Sequence, residues 1–417
     1  MKQMLHDSIW RHRDLRLLIP ARAVSAFGDD MALLVLMLRV YGEGRGPWSI
    51  TGLLLCAAAP VVVLAPLAGR VVDSVAFRTV ATSAAAWSAA CCMALAFVTP
   101  LWAVYALVVA LQIGQVVANP AWTALVPEIA PPDEVGRALG ASQSLTTMAS
   151  VAAPAVAGVL TGLFGFGAPL LVDAATFAVL AAAALSITAT RGAREKVSAL
   201  READTIEPYS LRRDPLLWPL LLGICALVLV GEVTNVVEVF LVRGTLGAGT
   251  VAFGLVAAAL AGGIVVGSVY AGRSAPDGVR AVRTAVAALV LALTLGLAGL
   301  APTIWVFAAA WAFLGVSNGV ANVDASTLLL GRTPEFCRGR VLANVNAMVR
   351  GSSLAAMVLG GLAGTLLGPR ETFVVAGALM AVVAVALLVR LTRTLSVGSV
   401  PTAATASAPP SEAGRPA

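Results

Sequence analysis

Long apolar stretches alternate with short polar ones along the chain, from residue 15 to residue 391. A helix of about 20 residues crosses a hydrocarbon core of ~30 Å, and twelve stretches are long enough to do so. These stretches are residues 15–40, 48–68, 79–99, 101–125, 137–164, 168–190, 215–242, 250–271, 281–300, 303–330, 340–367 and 370–391. The pattern predicts an all-α integral membrane protein with twelve transmembrane helices.

The composition supports this prediction, since 59% of the 417 residues are hydrophobic and only 12% are charged. Soluble domains usually carry roughly 25% charged residues. The N-terminal segment "MKQMLHDSIWRHRDLR" is too polar for the apolar core of a signal peptide, so we expect the first helix to stay in the mature protein. We therefore expect a multi-pass protein of the inner or plasma membrane, surrounded by the lipid bilayer.

The positive charges show an orientation. The formal net charge is +6, but most of the 28 Lys and Arg residues lie in loops on the side of the N-terminus. Arg45, Arg243 and Arg370 lie on the opposite side. Because Lys and Arg concentrate in cytoplasmic loops, we predict that both termini are cytoplasmic. The charge then follows from topology, and we expect no nucleic-acid partner.

Several kinds of chemistry lack their usual residues. Both histidines precede the first helix, and the five cysteines show no C-x-x-C spacing. The chain contains no H-E-x-x-H or G-x-S-x-G motif and no phosphate-binding loop of the Walker A type. We therefore expect no enzyme activity, no metal site, no cofactor and no direct use of ATP.

The two halves of the chain share residues at a fixed offset of 203 positions. "AGR" stands at 68–70 and again at 271–273, Asp29 corresponds to Glu232, and Asn119 corresponds to Asn322. Parallel repeats of six helices are typical of one group of transporters. We predict two pseudo-symmetric six-helix bundles, residues 1–190 and 215–392, with a cytoplasmic linker at 191–214 and a disordered cytoplasmic tail at 393–417.

The loop after the second helix resembles a motif of the major facilitator superfamily. "GRVVDSVAFR" at 69–78 is similar to the family's G-x-L-A-D-x-x-G-R-[RK], with Gly69, Asp73 and Arg78 at its positions. Ala76 and Phe77 replace the second Gly and an Arg. The resemblance implies that Gly69, Asp73 and Arg78 steady one state of a gate.

Two further segments resemble the same family. "APAVAG" at 153–158 is similar to the G-P-x-x-G-G motif of proton-driven exporters, and its Pro154 and Gly158 imply bending and close packing between the halves. "ARAVSAFGDDMALLVL" and "NPAWTALVPEIAPPDE" most resemble the enterobactin-exporter and macrolide-efflux branch of drug–proton antiporters. The fourth helix lacks the R-x-x-x-G arginine that many such antiporters carry, so proton coupling through that arginine is not expected.

The resemblance implies that helices one, four, seven and ten line a central cavity, and all four carry polar residues. Asp29 lies near mid-depth, where an ionised Asp costs roughly 2.5–3.5 kcal/mol. A carboxyl that exchanges a proton there could couple transport to a proton gradient. The candidates for this role are Asp29, its repeat equivalent Glu232, and Asp30, which points about 100° away from Asp29 around the helix and could instead bond a neighbouring helix.

The other intramembrane polar residues are candidates for contacting a substrate. They are Arg22, Gln112, Gln115, Asn119, Asn235, Asn318, Asn322 and Arg350. The amides among them could equally join packed helices by hydrogen bonds. Glu238 and Arg243 are expected to form an interfacial ion pair at the outer end of the seventh helix, and Asp173 is expected to be structural.

These features favour a secondary active transporter that works as a monomer by alternating access. Its expected activity is proton-coupled efflux of a small amphiphilic compound, such as a drug, a macrolide, a siderophore or a similar metabolite. An importer or facilitator of a metabolite is the first alternative. A membrane sensor or scaffold without transport activity is the second.

Overall fold

The computed structural model describes residues 11–74, 77–130, 134–187, 211, 214–334 and 338–396. These ranges hold twelve long helices and no strand, which confirms the predicted all-helical fold. The helices are α1 (Arg13–Gly42), α2 (Pro47–Ser74), α3 (Phe77–Phe97), α4 (Leu101–Ile129), α5 (Val135–Phe164), α6 (Gly167–Ser186), α7 (Leu217–Thr245), α8 (Thr250–Ala271), α9 (Asp277–Gly299), α10 (Ile304–Arg332), α11 (Arg338–Leu366) and α12 (Pro369–Ser396). Most of the proposed linker lies outside the described residues, and so does the tail beyond Ser396.

Eleven of the described helices are long and apolar enough to cross a membrane. The exception is α1, which has the length but carries Arg22, Asp29, Asp30 and Arg39 along it. The helix that differs by composition is thus the one in which the sequence places two adjacent acids at mid-depth.

The helix pairings repeat between the halves. In the first half α1 packs on α5 and α6, α3 on α4 and α6, and α2 on α4. In the second half α7 packs on α11 and α12, α9 on α10 and α12, and α8 on α10. Each pairing therefore has a counterpart six helices later, as the sequence repeat predicts.

Glycines bring α8 and α10 unusually close together. A Cβ atom added at Gly267 would lie 2.0 Å from the carbonyl oxygen of Val316, and one at Gly319 would lie 2.2 Å from that of Ile264. Gly263 and Gly315, one turn earlier on each helix, are in similar contact with the opposite backbone. Small residues at four-residue spacing let membrane helices approach in this way.

An ion cluster at the end of the molecule that carries the termini fastens α9 to α10. Asp324 is fully buried and accepts from Arg280 Nη1 at 3.0 Å and from Arg283 Nε at 2.5 Å. The same arginines hold the second "AGR" segment, since Arg283 Nη2 donates to the Ala271 carbonyl at 3.0 Å and Arg280 Nη2 to that of Arg273 at 3.3 Å. Asp324 is not among the predicted site residues, although it is an acid inside an apolar stretch.

We predict that Asp324→Asn lowers the stability of the folded protein substantially. Removing one partner of a buried ion pair leaves a buried charge uncompensated, which costs about 3–5 kcal/mol. The matched control is Asp277→Asn, since Asp277 meets Arg332 at 3.5 Å but its side chain is 50% exposed. Exposed pairs contribute ~0–1 kcal/mol. Thermal unfolding of both purified variants tests this, and equal melting temperatures would contradict the assigned role of Asp324.

Candidate functional site

A pocket of about 350 Å³ lies inside the second half of the molecule, between α7, α9 and α10. Four of the residues that the sequence analysis named as site candidates line it together: Glu232, Asn235, Asn318 and Asn322. Glu238 lines it as well. The remaining walls are mostly aliphatic, with Trp311 and Met380 among them.

Helix α7 is interrupted at Glu232. The helical segment Leu217–Gly231 ends there and a second one, Val233–Val239, follows. The backbone N–H of Asn235 donates to the Glu232 carbonyl at 3.1 Å, and the Thr234 hydroxyl donates to the Gly231 carbonyl at 2.7 Å. A tighter turn and a side-chain hydrogen bond thus replace part of the regular α-helical hydrogen bonding. The break aims both Glu232 and Asn235 at the pocket.

The environment of Glu232 includes residues of α11. Its carboxylate is hydrogen-bonded to the Ser353 side chain and is attracted by the guanidinium of Arg350. Arg350 is itself exposed and is not among the residues that line the pocket. Arg350 therefore acts on the pocket from its edge, through Glu232.

Glu238 is not the interfacial residue that the sequence analysis expected. It lines the pocket, and the Arg243 guanidinium donates to the Ala248 carbonyl at 3.2 Å instead. Two local features separate the two side chains: they are five positions apart, which places them on different faces of a helix, and the backbone is a π-helix from Phe240 to Thr245. The expected ion pair was wrong.

The first half holds a second group of polar side chains. Gln115 Nε2 on α4 donates to Asp29 Oδ1 at 2.9 Å, and Arg22 Nη1 donates to Asn119 Oδ1 at 3.3 Å. Arg22 also attracts Asp29 electrostatically and lines a smaller cavity of about 130 Å³. Asp29 and Gln115 are the repeat equivalents of Glu232 and Asn318, so each half places an acid beside an amide.

Other candidates stand apart from these two groups. Asp30 is exposed and bonds the Ser150 side chain on α5, and Gln112 is half-buried on α4. Arg78 Nη2 donates to the Leu185 carbonyl on α6. The backbones of Gly69 and Asp73 belong to α2, but the side chain of Asp73 lies outside the described residues, so its gating role stays a prediction.

Asp173 on α6 lies behind Asp29, fully buried. It accepts from the Cys92 thiol at 3.0 Å and from the Thr176 hydroxyl at 3.1 Å. A Cβ atom at Gly28 would stand 2.1 Å from its carboxylate, so only glycine fits there on α1. Asp173 thus joins α3 to α6 and packs beneath α1.

The two halves touch at the end of the molecule opposite the termini. There α5 packs on α8, where a Cβ atom at Gly158 would lie 2.9 Å from the Thr250 carbonyl oxygen and one at Gly254 would lie 2.5 Å from that of Pro154. On the other side α2 packs on α11, with Gly361 against Thr51. Pro154 and Gly158 therefore lie at a contact that closes this end.

Comparison with known proteins identifies the family. Residues 18–288 match the family model described as Major Facilitator Superfamily. The MFS-type transporter YfiS of Bacillus subtilis (strain 168) is 22% identical over 395 residues, covering 90% of this chain and 93% of its own.

Solved structures of similar fold include two other transporters. One is a bacterial homologue of the human lysosomal transporter Spinster, with a TM-score of 0.72 at 14% identity, covering 95% of this chain and 100% of its own. Another is the nucleoside transporter NupG, with a TM-score of 0.69 at 12% identity, covering 91% and 100%.

We predict that Gly158→Val separates the two halves at the closed end, because its side chain would push α5 away from the α8 backbone. Gly140→Val is the control on the same helix, since nothing lies within 4 Å of a Cβ atom there. Spin labels at Glu43 and Gly247, in a background without the native cysteines, report the distance between the halves. The distance should increase for Gly158→Val alone, and an unchanged distance would show that this contact does not hold the end closed.

Proposed function

The chain belongs to the major facilitator superfamily and is a membrane transporter, and we propose that it is an exporter that moves a small amphiphilic compound outward in exchange for protons. The observation that carries this proposal is the presence, in each half, of an intramembrane acid beside an amide on the partner helix. Asp29 contacts Gln115 in one half, and Glu232 shares the pocket with Asn318 in the other. An acid at such depth is costly to hold ionised, so it is suited to taking up and releasing a proton.

Alternating access supplies the movement in this proposal. The halves touch at the end opposite the termini through glycines, and none of the ion pairs between described residues joins one half to the other, so these contacts can separate without breaking them. If the termini are cytoplasmic, the closed end faces outward and the pocket is loaded from inside. The resemblance of "APAVAG" to exporter motifs favours outward movement of the substrate.

A metabolite importer or facilitator of the same fold is the second candidate, and it is favoured by the absence of the R-x-x-x-G arginine from the fourth helix. The purified protein in lipid vesicles with an imposed pH gradient separates the two candidates. Uptake of compound against its own gradient, driven by protons moving the other way, indicates exchange. Movement that only follows the compound's own gradient indicates a facilitator.

We predict that Asp29→Asn abolishes efflux driven by a pH gradient while expression and substrate binding persist. Asn retains the size and hydrogen bonding of Asp but cannot titrate. Glu232→Gln should have the same or a milder effect, because one site can suffice for coupling. Asp30→Asn should leave coupling intact, since Asp30 bonds Ser150 on α5. The measurement is substrate-induced proton movement in vesicles, and full movement in both Asp29→Asn and Glu232→Gln would refute the proposed coupling.

We also predict the orientation that this mechanism requires. Cysteines introduced as Arg45→Cys and Arg370→Cys should react with an impermeant thiol reagent in intact cells. Thr205→Cys, in the linker, should react only after the membrane is permeabilised. The reverse labelling pattern would place the termini outside and would invert the direction of transport.

A further inference from the structure

In the pocket of the second half, Glu232 is attracted by Arg350 from outside the pocket, whereas Glu238 has no basic residue beside it among those that line the pocket. Two carboxylates, Glu232 and Glu238, line it, and no Lys or Arg does so among the described residues. The ion pairs found in the described parts of the chain do not include Glu238. The basic residue closest to it along the helix, Arg243, donates instead to the Ala248 carbonyl at 3.2 Å.

An aromatic wall stands beside Glu238. Trp311 is 3% exposed and stacks on Phe307 with 4.4 Å between the ring centroids, and the ring centroid of Phe373 lies 5.6 Å from that of Trp311 and 6.0 Å from that of Phe307. The Trp311 ring is therefore fixed in place by its neighbours. Its indole N–H is buried and faces the Glu238 carboxylate, whose charge it stabilises, although the two groups are not in ideal hydrogen-bond geometry.

Apolar walls and amides complete the pocket. Leu227, Leu260, Leu291 and Leu314 supply aliphatic surface, and Asn318 and Asn322 stand nearer the end that carries the termini. The side-chain Nδ2 of Asn322 donates to the backbone carbonyl of Asn318 at 3.0 Å, and the side-chain oxygen of Asn322 takes no part in this hydrogen bond. A volume of about 350 Å³ is within the range of pockets that enclose drug-sized molecules, roughly 300–1,000 Å³.

The charge of the ligand follows from these contacts. An anion would face two carboxylates in a region of low dielectric constant, where repulsion between like charges is strong. A neutral molecule would supply no counter-charge, so Glu238 would have to take up a proton or remain ionised at a cost. A cation close to Glu238 neutralises its carboxylate, and the aliphatic walls accept an apolar body attached to that cation.

We propose that this pocket binds an amphiphilic organic cation, with its positive centre at the Glu238 carboxylate and its apolar body along the leucines. The inference rests on the proposed transport function in one respect: that the bound cation is a transported substrate. Binding of the cation can be measured without any gradient. It narrows the substrate class from the drugs, macrolides and siderophores considered above to compounds that carry a positive charge, and it excludes anionic siderophores.

A pair of probes of equal shape and opposite charge tests the proposal. Tetraphenylphosphonium and tetraphenylborate differ in charge but have nearly the same size and surface. Equilibrium dialysis of the full-length protein in lipid nanodiscs, with empty nanodiscs subtracted, should show saturable binding of the phosphonium alone. Equal saturable binding of the borate, or no saturable binding of the phosphonium, would overturn the inference.

Two variants locate the site. Glu238→Gln should weaken phosphonium binding at least tenfold, whereas Glu371→Gln should leave it unchanged, because Glu371 is an exposed acid in the first turn of α12 and lies outside the pocket. If Glu238 is held neutral by a proton in all states, Glu238→Gln will bind the phosphonium like the unaltered protein, and the inference is then wrong.

A measurement on the unaltered protein covers the case in which Glu238→Gln does not fold. A hydrophobic carbodiimide modifies protonated carboxyl groups in apolar surroundings, and mass spectrometry of the digested protein identifies the modified residue. Phosphonium should protect Glu238 from this reaction, and borate should not. Modification of Glu238 that is unaffected by phosphonium would refute the site.

Failure of this inference and failure of the proposed function give different results. Phosphonium bound at Glu238 without proton-linked movement in vesicles would retain the site and reject the exporter. Proton-linked efflux of another compound, with no phosphonium binding, would retain the exporter and reject the cation site.

Discussion

Buried carboxylates are costly in a membrane, since each must be paired with a cation, hydrogen-bonded, or protonated. The protein meets this constraint differently at different sites. Asp324 is neutralised by Arg280 and Arg283, and Asp173 is surrounded by the Cys92 thiol and the Thr176 hydroxyl. These two acids have their partners within one half, and they join helices that need not move relative to each other. Asp29 and the two acids of the pocket, Glu232 and Glu238, receive fewer neutralising contacts from the protein.

The glycines meet a second constraint, which is that apolar helices gain little from the hydrophobic effect when they associate in lipid. Close contact between helix backbones supplies van der Waals attraction in its place. Within the second half, Gly267 and Gly319 lock α8 to α10 over several turns, so these helices move as one body. Between the halves, Gly158 and Gly254 make a contact of the same kind but confined to one end of α5 and α8. A short contact of this type can open while the longer ones within each half persist.

The sequence predicts the helices and the repeat well, because about 20 consecutive apolar residues and a constant offset are properties of the chain alone. The family resemblance assigned the seventh and tenth helices to the cavity, and the structure has four polar residues of these helices in one pocket: Glu232, Asn235, Asn318 and Asn322. The sequence prediction fails for Glu238 and Arg243, where the π-helical turn changes which faces the side chains occupy. Asp324 was detectable as an intramembrane acid, but its partners Arg280 and Arg283 come from a different helix, and no short-range pattern connects them.

The two halves therefore resemble each other in sequence more than in electrostatics. Asp29 and Glu232 are equivalent in the repeat, yet Asp29 has Arg22 on its own helix, whereas Glu232 has a second acid, Glu238, on its own helix and is attracted by Arg350 from α11. Position 35, the repeat equivalent of Glu238, is Val35, and position 225, the equivalent of Arg22, is Cys225. The arginine of α1 thus has no equivalent on α7, and the second acid of α7 has no equivalent on α1. In the proposed mechanism, Asp29 and Glu232 exchange protons at equivalent places in the two halves, and Glu238, which has no equivalent, holds the positively charged ligand, so protons and ligand use different acids of one nearly symmetric fold.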